Sequence, residues 1–250
     1  MPAQHLELQK SKSNTCACAA YELWHSQFSV DGDANSHWQR LVKSHLNVAR
    51  DISGKTVLEI GCGRGDLACW LSRQPEQPAS VVAADFSFTA VRKGRCFAAK
   101  HKIRADWEVM DIQDIGHPES TFDTVISCET VEHVPDPCKA VRELVRVLKP
   151  GGCLFLTTPN YLGSLGLYRA YLRLRGRRYT EVGQPINNFT LLPRTWLWIK
   201  RARLRVRCID AIGHYLPFPG RPPIEFPIFD NPRILMRWIA LHSLIVAEKL

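Results

Sequence analysis

The chain has 250 residues, of which 45% are hydrophobic and 23% charged, and it carries a formal net charge of +9. These values are ordinary for a globular protein with one large α/β domain, and no apolar run reaches the roughly 18 residues of a transmembrane helix. The N-terminus lacks the apolar core of a signal peptide, so a cytoplasmic location is the default expectation. Nine scattered cysteines without a CxxC pair disfavour a disulfide framework and a structural zinc site.

Short apolar strands alternate with helical stretches from Lys55 to about Thr157. The predicted strands are Thr56–Ile60, Ser80–Asp85, Ala105–Asp111, Phe122–Cys128 and Cys153–Thr158. Helices are predicted after the first, second and fourth of them, the last stopping at Pro150. Strands separated by single helices indicate βαβ units and a parallel sheet. Right-handed crossovers then give a doubly wound, Rossmann-like three-layer α/β sandwich.

The flanking segments follow a different pattern. Residues 1–53 are predicted to form one or two helices and a polar loop, too short for a separate domain. After Pro159 we expect an arginine-rich, partly helical insert, then a helix over 191–204 and a strand over 205–213. A proline-rich loop from Pro217 to Pro232 precedes a further helix and a last strand.

Glycines at Gly61, Gly63 and Gly65 follow the first strand, and a helix begins near Asp66. Ligands bind at the carboxyl ends of strands in open α/β sheets, and a glycine turn there brings bare backbone close to a ligand. The spacing is GxGxG, not the GxGxxG of dinucleotide-binding proteins. Glu59, two residues before the first glycine, suits a cationic ligand end such as an ammonium and opposes a pyrophosphate.

Further acids end the later strands. Asp85 lies twenty residues after Gly65, where a carboxylate binds vicinal ribose hydroxyls in nucleotide-binding α/β proteins. Asp111 ends the third strand, and Glu129 follows the fourth. With Glu59, this arrangement favours a nucleoside that carries an amino-acid tail over a nicotinamide dinucleotide.

Several motifs occur together and in order. They are VLEIGCGRGDLACWL, VVAADFS, VMDIQDI, FDTVISCETVEHVPDP and ELVRVLKPGGCLFLTTPN. This set resembles the class I S-adenosylmethionine-dependent methyltransferases, most closely the branch that includes ubiquinone-biosynthesis O-methyltransferases and related small-molecule methyltransferases. The resemblance covers residues 40–160 strongly and 188–250 more loosely. It implies a seven-stranded, mostly parallel sheet whose last strand is antiparallel.

The resemblance also implies site residues for S-adenosyl-L-methionine, and no metal. They are Glu59, Gly61, Cys62, Gly63, Gly65, Asp85, Phe86, Asp111, Ile112, Cys128 and Glu129. The glycine turn would hold the methionine end, and Asp85 the ribose hydroxyls with Phe86 beside the adenine. Asp111 and Ile112 would border the adenine edge. Cys128 and Glu129 would line the methyl-donor pocket.

Some of these residues also have possible structural roles that involve no ligand. Asp85 could cap the next helix, and Asp111 could serve a turn. His133 is the candidate general base, because imidazole titrates near neutral pH. Its alternative role is a hydrogen bond that orders the loop. His214 and Tyr215 are further candidates on the acceptor side.

Positive charge is concentrated in one segment. Residues 161–207 hold 11 Lys and Arg and one acid, Glu181, for a net charge of +10. Within it, residues 167–178 interleave arginines with apolar side chains, which suits peripheral contact with an anionic membrane. A solvated face is the alternative. DNA is disfavoured because SCET, not the Asn/Asp-Pro-Pro-aromatic tetrad of base-amine methyltransferases, follows the fourth strand. An RNA substrate stays open.

We therefore predict a single methyltransferase domain over residues 1–250. It comprises an N-terminal helical cap (1–53), a cofactor-binding core (54–160), a basic insert over the acceptor pocket (161–187) and the C-terminal part of the sheet (188–250). The predicted reaction is SN2 methyl transfer to a small or lipid-like acceptor, on oxygen. The alternatives are N- or C-methylation of a small molecule or RNA, a cofactor-binding module that docks a partner, and a nicotinamide-dependent oxidoreductase.

Overall fold

Parallel strands with helical crossovers form the centre of the molecule. The computed structural model describes residues 19–30, 32–177, 186, 188–218, 221–230 and 238–250. Its strands are β1 (Thr56–Ile60), β2 (Ser80–Asp85), β3 (Asp106–Val109), β4 (Phe122–Cys128), β5 (Leu148–Pro159), β6 (Leu204–Ile212), β7 (Tyr215–Phe218), β8 (Arg221–Glu225) and β9 (His242–Lys249).

The described helices are α1 (19–26 in the described part), α2 (His37–His45), α3 (Asp66–Leu71), α4 (Phe88–Lys100), α5 (Pro137–Val147), α6 (Ser164–Leu174) and α7 (Leu192–Arg201). Of these, α5 and α7 cover one face of the sheet, and α2, α3 and α4 cover the other. Side chains fix two of the starts: Ser87 accepts a hydrogen bond from the Ala90 amide to begin α4, and Asp136 accepts one from Lys139 to begin α5. None of the described helices is long and apolar enough to cross a membrane.

The sheet has the strand order β3-β2-β1-β4-β5-β9-β6. Neighbours from β3 to β5 are parallel, and β9 runs antiparallel to both β5 and β6. The predicted seven-stranded α/β sheet with an antiparallel last strand is therefore confirmed. Strand order reverses between β1 and β4, which is the place where doubly wound sheets open a crevice for ligands.

Alternating side chains of the central strands build two cores. Leu58 of β1 lies on the side covered by α5 and α7, where Leu144 and Ile199 are fully buried. Val57 lies on the opposite side with α2, α3 and α4, where Leu67 is fully buried. Burial on both faces explains why the central strands read as continuous apolar runs.

Three segments differ from the sequence-based expectation. The third strand ends at Val109, because Asp111 accepts a hydrogen bond from the Gln113 amide (2.8 Å) and turns the chain. The fifth strand begins earlier, at Leu148. The expected loop after Pro217 contains the antiparallel hairpin β7–β8, where proline is tolerated because each strand has an unpaired edge. The helix predicted before the last strand lies largely outside the described residues, as does Arg178 at the end of the arginine-rich segment 167–178.

Trp107 of β3 fills the space beside two glycines. A Cβ atom added at Gly65 would overlap its indole ring, and one added at Gly94 would overlap the ring and lie 2.6 Å from the Arg64 carbonyl oxygen. Trp107 is only 7% exposed. These glycines therefore let α3, α4 and β3 pack closely.

Gly94→Ala tests this close packing. Alanine normally stabilises a helix interior by about 1 kcal/mol over glycine, yet here we expect destabilisation by about 1–3 kcal/mol because the methyl group has no room. Chemical denaturation measures the free energy of unfolding. The control is Gly116→Ala, whose Cβ would meet nothing within 4 Å. A Gly94→Ala protein as stable as the wild type would contradict the packing argument.

Candidate active site

A cleft of about 370 Å³ opens at the carboxyl ends of β1, β2 and β4. Its walls come from the glycine turn, the strand ends and the N-terminal helices; they include Glu59, Gly63, Asp85, Glu129, Trp38 and His242. A smaller cavity of about 120 Å³ adjoins it beside Phe86 and Ile112. Together the two spaces form an elongated site with a polar end and an apolar end.

The glycine turn uses its bare backbone partly for internal packing. Gly61, Gly63 and Gly65 have φ angles of 74°, 54° and 79°, a region that disfavours side chains. A Cβ at Gly61 would overlap the Thr130 side chain, while the space beside Gly65 belongs to Trp107. Gly63 has open space beside it, because a Cβ atom added there would have a His25 ring carbon as its nearest neighbour, at 3.5 Å. Of the three glycines, Gly63 therefore leaves the most room for a ligand.

Asp85 joins the end of β2 to this turn. One carboxylate oxygen accepts a hydrogen bond from the Gly63 amide (2.8 Å), and the other accepts one from the Ser87 amide (2.9 Å). Burial raises the pKa of Asp85 to about 6. Ser87, not Asp85, caps α4, so the capping alternative for Asp85 does not apply.

Glu59 is a buried carboxylate at the polar end of the cleft. It is 3% exposed, and its Oε2 atom has no hydrogen-bond partner among the described residues. Burial raises the pKa of Glu59 well above its usual range, and the charges of Asp66 and Asp85 raise it further. A cationic ligand group would compensate this carboxylate. The ammonium of an amino-acid tail fits that requirement.

The smaller cavity has the apolar character that a nucleobase requires. Phe86 packs against Tyr21 edge to face, with ring centroids 5.1 Å apart. Ile112 is 4% exposed and lines the cavity. Asp111 also borders it, but its carboxylate is exposed and bonds its own turn. Asp111 therefore has the turn role that the sequence offered as an alternative.

Cys128 and Glu129 lie where the cleft passes the end of β4. Cys128 is a buried thiol whose pKa is raised well above its usual range by burial, so it does not offer a thiolate nucleophile. Glu129 has a φ angle of 48°, rare for a side chain-bearing residue. Its amide donates to the carbonyl and hydroxyl oxygens of Thr157 at 3.2 and 3.1 Å. One carboxylate oxygen pairs with Nδ1 of His242 at 3.2 Å.

The predicted base His133 lines the cleft with its ring held by the protein. Its Nδ1 donates to the Ile186 carbonyl at 2.8 Å, and its Nε2 lies 3.5 Å from a carboxylate oxygen of Glu132. These contacts match the loop-ordering alternative for His133. His214 pairs with Asp230 at 2.8 Å and is not among the cleft-lining residues.

Helix α1 closes one side of the cleft. The sequence predicted a helical cap here but did not identify which of its residues line the site. The Lys93 ammonium donates to the carbonyls of His25, Ser26 and Phe28 at the end of this helix. The Arg64 guanidinium lies 5.3 Å from the Phe28 ring centroid. Burial and the charge of Arg64 lower the pKa of His25 to about 4, so this histidine is neutral at pH 7. The cap thus places a neutral ring over Gly63.

Metal-binding geometry is absent from the part of the chain that the structure describes. No group of three or more His, Cys, Asp or Glu side chains there could hold an ion. The cysteines whose positions are described are free thiols.

Comparisons with known proteins agree on one family. A family described as "Methyltransferase domain" matches residues 58–156. A ubiquinone biosynthesis O-methyltransferase of Xanthomonas oryzae pv. oryzae (strain PXO99A) is 35% identical over 185 residues, which span 71% of this chain and 73% of that protein.

Solved structures share the fold. A SAM-dependent methyltransferase of Methanosarcina mazei has a TM-score of 0.60 at 20% identity, covering 84% of this chain and 97% of that one. A SAM-dependent methyltransferase of Aquifex aeolicus has a TM-score of 0.56 at 16% identity, covering 96% and 98%. At such identities these structures show a common architecture.

Asp85→Asn tests the electrostatics of the cleft in the ligand-free protein. Because the folded pKa of Asp85 is raised to about 6, its contribution to stability is present below about pH 4 and lost as pH rises through about 6. This rise of the Asp85 pKa to about 6 corresponds to roughly 3 kcal/mol. Relative to the wild type, the Asn variant should therefore gain stability between about pH 4 and pH 7. Denaturation at several pH values measures this, and a pH-independent difference would contradict the burial argument.

Proposed function

The chain belongs to the class I S-adenosylmethionine-dependent methyltransferases, and on that basis we propose that it methylates a hydroxyl oxygen of a small or lipid-like acceptor. Its cofactor is S-adenosylmethionine. The observation that carries the oxygen acceptor is the 35% identity to a ubiquinone biosynthesis O-methyltransferase across 71% of this chain.

The cleft supports a specific placement of the cofactor. Glu59 would pair with the ammonium, Asp85 would accept hydrogen bonds from the ribose hydroxyls, and Phe86 and Ile112 would flank the adenine. The turn residues Gly61, Cys62, Gly63 and Gly65 would enclose the methionine end, with Asp111, Cys128 and Glu129 around the remainder. When bound, the cofactor supplies a methyl group on a sulfonium for in-line displacement. The chain positions both reactants and excludes water.

We also propose a domain organisation for the chain. One domain spans residues 1–250, with a helical cap (1–53), a core (54–160), an insert (161–187) and the rest of the sheet (188–250). Support for the cap comes from Tyr21, Trp24 and Trp38, which line the cleft. Support for the insert comes from Ile186, which lines the smaller cavity beside His133.

A lipid-like acceptor agrees with the surface of α6. This helix begins at Ser164, just after β5 ends, near the sheet edge that holds the cleft. Leu167 and Leu174 are 73% and 87% exposed, next to arginines of the same helix and its C-terminal turn. Apolar side chains beside arginines favour binding to an anionic bilayer surface. In the proposal, this surface brings the cleft to a membrane-borne acceptor.

Product analysis tests the acceptor atom. The protein is incubated with methyl-labelled S-adenosylmethionine and a lipid and metabolite extract, and labelled products are identified by mass spectrometry. We expect methyl ethers of hydroxyl compounds. Labelled amines or carbon-methylated products would contradict the oxygen assignment. Cofactor binding without any labelled product would favour the partner-binding module.

Vesicle binding tests the membrane surface. Replacing Arg173, Arg175 and Arg177 with Gln should weaken sedimentation with anionic vesicles, because each basic side chain near such a surface contributes about 1 kcal/mol. Affinity for S-adenosylhomocysteine should be unchanged. The matched control removes the same charge elsewhere, at the exposed Lys100, Lys102 and Arg104. Equal vesicle binding by the two triple variants would contradict a membrane role for α6.

A further inference from the structure

His242 and Glu129 form an imidazole–carboxylate pair in the cleft. We propose that His242 takes the proton of the acceptor hydroxyl and that Glu129 is the positioning residue for its ring. This inference rests on the proposed O-methylation, because a hydroxyl acceptor loses a proton during methyl transfer. It assigns the base to a residue that the sequence motifs do not include.

The sheet topology places His242 at the reacting edge. Because β9 runs antiparallel to β5, its first residue lies beside the carboxyl ends of the parallel strands. His242 pairs in register with Pro159, the last residue of β5, and with Ile212, the last residue of β6. It lines the same cleft as Glu59 and Asp85. A group here therefore faces the same cleft as the glycine turn.

The hydrogen bond to Glu129 sets which nitrogen is basic. A carboxylate only accepts, so Nδ1 of His242 carries the hydrogen at 3.2 Å from the Glu129 oxygen. In the neutral ring, the lone pair then lies on Nε2. Among the residues that the structure describes, no hydrogen-bond partner pairs with that Nε2 atom. It is thus free to accept a proton from a ligand.

The surroundings hold this ring in one orientation. The ring of His37 stacks on it, with centroids 5.8 Å apart at 19°, and the Trp38 ring lies 5.2 Å away. Tyr215 meets it edge to face at 6.4 Å. Glu129 holds an unfavourable left-handed backbone conformation, secured by its two hydrogen bonds to Thr157. Backbone strain of this kind concentrates at functional sites.

Three side chains from three elements face the His242 ring. Glu129 faces it from the end of β4, and His37 faces it from α2 with its own Nε2 paired to Glu225 at 2.6 Å. Tyr215 faces it from β7, and burial raises the pKa of that phenol to about 12, so it is neutral. Glu129 is therefore the anion that directly compensates an imidazolium at His242.

His133 is placed less well for this task. Its Nδ1 is used by the Ile186 carbonyl, and its Nε2 faces the buried carboxylate of Glu132. Both ring nitrogens thus face protein oxygens. In His242, Nδ1 is bonded to the Glu129 carboxylate and Nε2 points away from it. A positioned base requires this arrangement of one held and one available nitrogen.

The proton step balances without another reagent. The acceptor O–H bond breaks and its proton moves to Nε2 of His242, while an oxygen electron pair forms the bond to the methyl carbon. The carbon–sulfur bond breaks, and its electron pair leaves with sulfur. The products are a methyl ether, S-adenosylhomocysteine and an imidazolium, which returns its proton to water.

Kinetics of His242→Gln and Glu129→Gln test the proposal with an acceptor identified by product analysis. His242→Gln should lower kcat by about 10²–10⁴-fold and remove the limb of the kcat profile that rises with pH. Its affinity for S-adenosylhomocysteine, measured by calorimetry, should be unchanged. Glu129→Gln should move that limb to lower pH, because an imidazolium loses its anionic neighbour. His117→Gln is the control, since His117 pairs with Glu108 outside the cleft.

A spectral titration gives a readout that needs no turnover. The probe is 4-nitrocatechol, whose ionised form absorbs visible light, bound with S-adenosylhomocysteine. Ionisation should occur at lower pH on the wild type than on His242→Gln. If this difference appears but the wild type forms no methyl ether, the proposed function fails while the proton-accepting role of His242 stands.

Three outcomes would overturn the inference. They are a wild-type kcat and pH profile in His242→Gln, no effect of the wild type on probe ionisation, and loss of the rising limb in His133→Gln in place of His242→Gln.

Discussion

The burial of two carboxyl groups is the constraint on which the site depends. Glu59 and Asp85 are both buried at the carboxyl ends of adjacent parallel strands, with Asp66 close behind the glycine turn. Burial raises the pKa of both carboxyls, so the protein holds them at a cost to its own stability. Such an arrangement is useful only toward a partner with a cationic group and hydroxyl donors. An amino acid joined to a nucleoside has both.

The fold brings the two halves of the site together from distant parts of the chain. β1, β2 and β4 end at one edge, where the proposed function places the cofactor. β9, reversed relative to its neighbours, begins at that same edge and brings His242 into the same cleft. The N-terminal helices then cover the space between, so that a ligand is removed from bulk water. Electrostatic interactions gain strength in such an enclosed site.

Much of this was predictable from local sequence. The strands Thr56–Ile60, Ser80–Asp85 and Phe122–Cys128 have the predicted limits, because buried parallel strands are continuous apolar runs bounded by turn residues. Most cofactor-side candidates lie in or directly after those strands, so the motifs lie beside the cleft. Gly61 and Gly65 are predicted to bring bare backbone to a ligand, and a Cβ atom added at either position would also overlap a neighbouring side chain, Thr130 or Trp107. Sequence spacing does not distinguish a ligand from a neighbouring side chain.

What escaped prediction depends on contacts between residues far apart in the chain. The pairing of Glu129 with His242 spans 113 positions and follows from the direction of β9. The β7–β8 hairpin was hidden by its prolines, which are tolerated because neither strand is central. The position of His25 over Gly63 depends on the path of α1, which the local sequence does not determine.

Proton-linked calorimetry of S-adenosylhomocysteine binding tests the central claim most directly. At about pH 6, near the raised pKa of Asp85, burial keeps part of the cleft carboxylates protonated. A ligand that pairs with them should therefore release protons, seen as a binding enthalpy that depends on the ionisation enthalpy of the buffer. Glu59→Gln and Asp85→Asn should each reduce this release. Binding without proton release, or preference for NAD over the adenosyl ligand, would contradict the account.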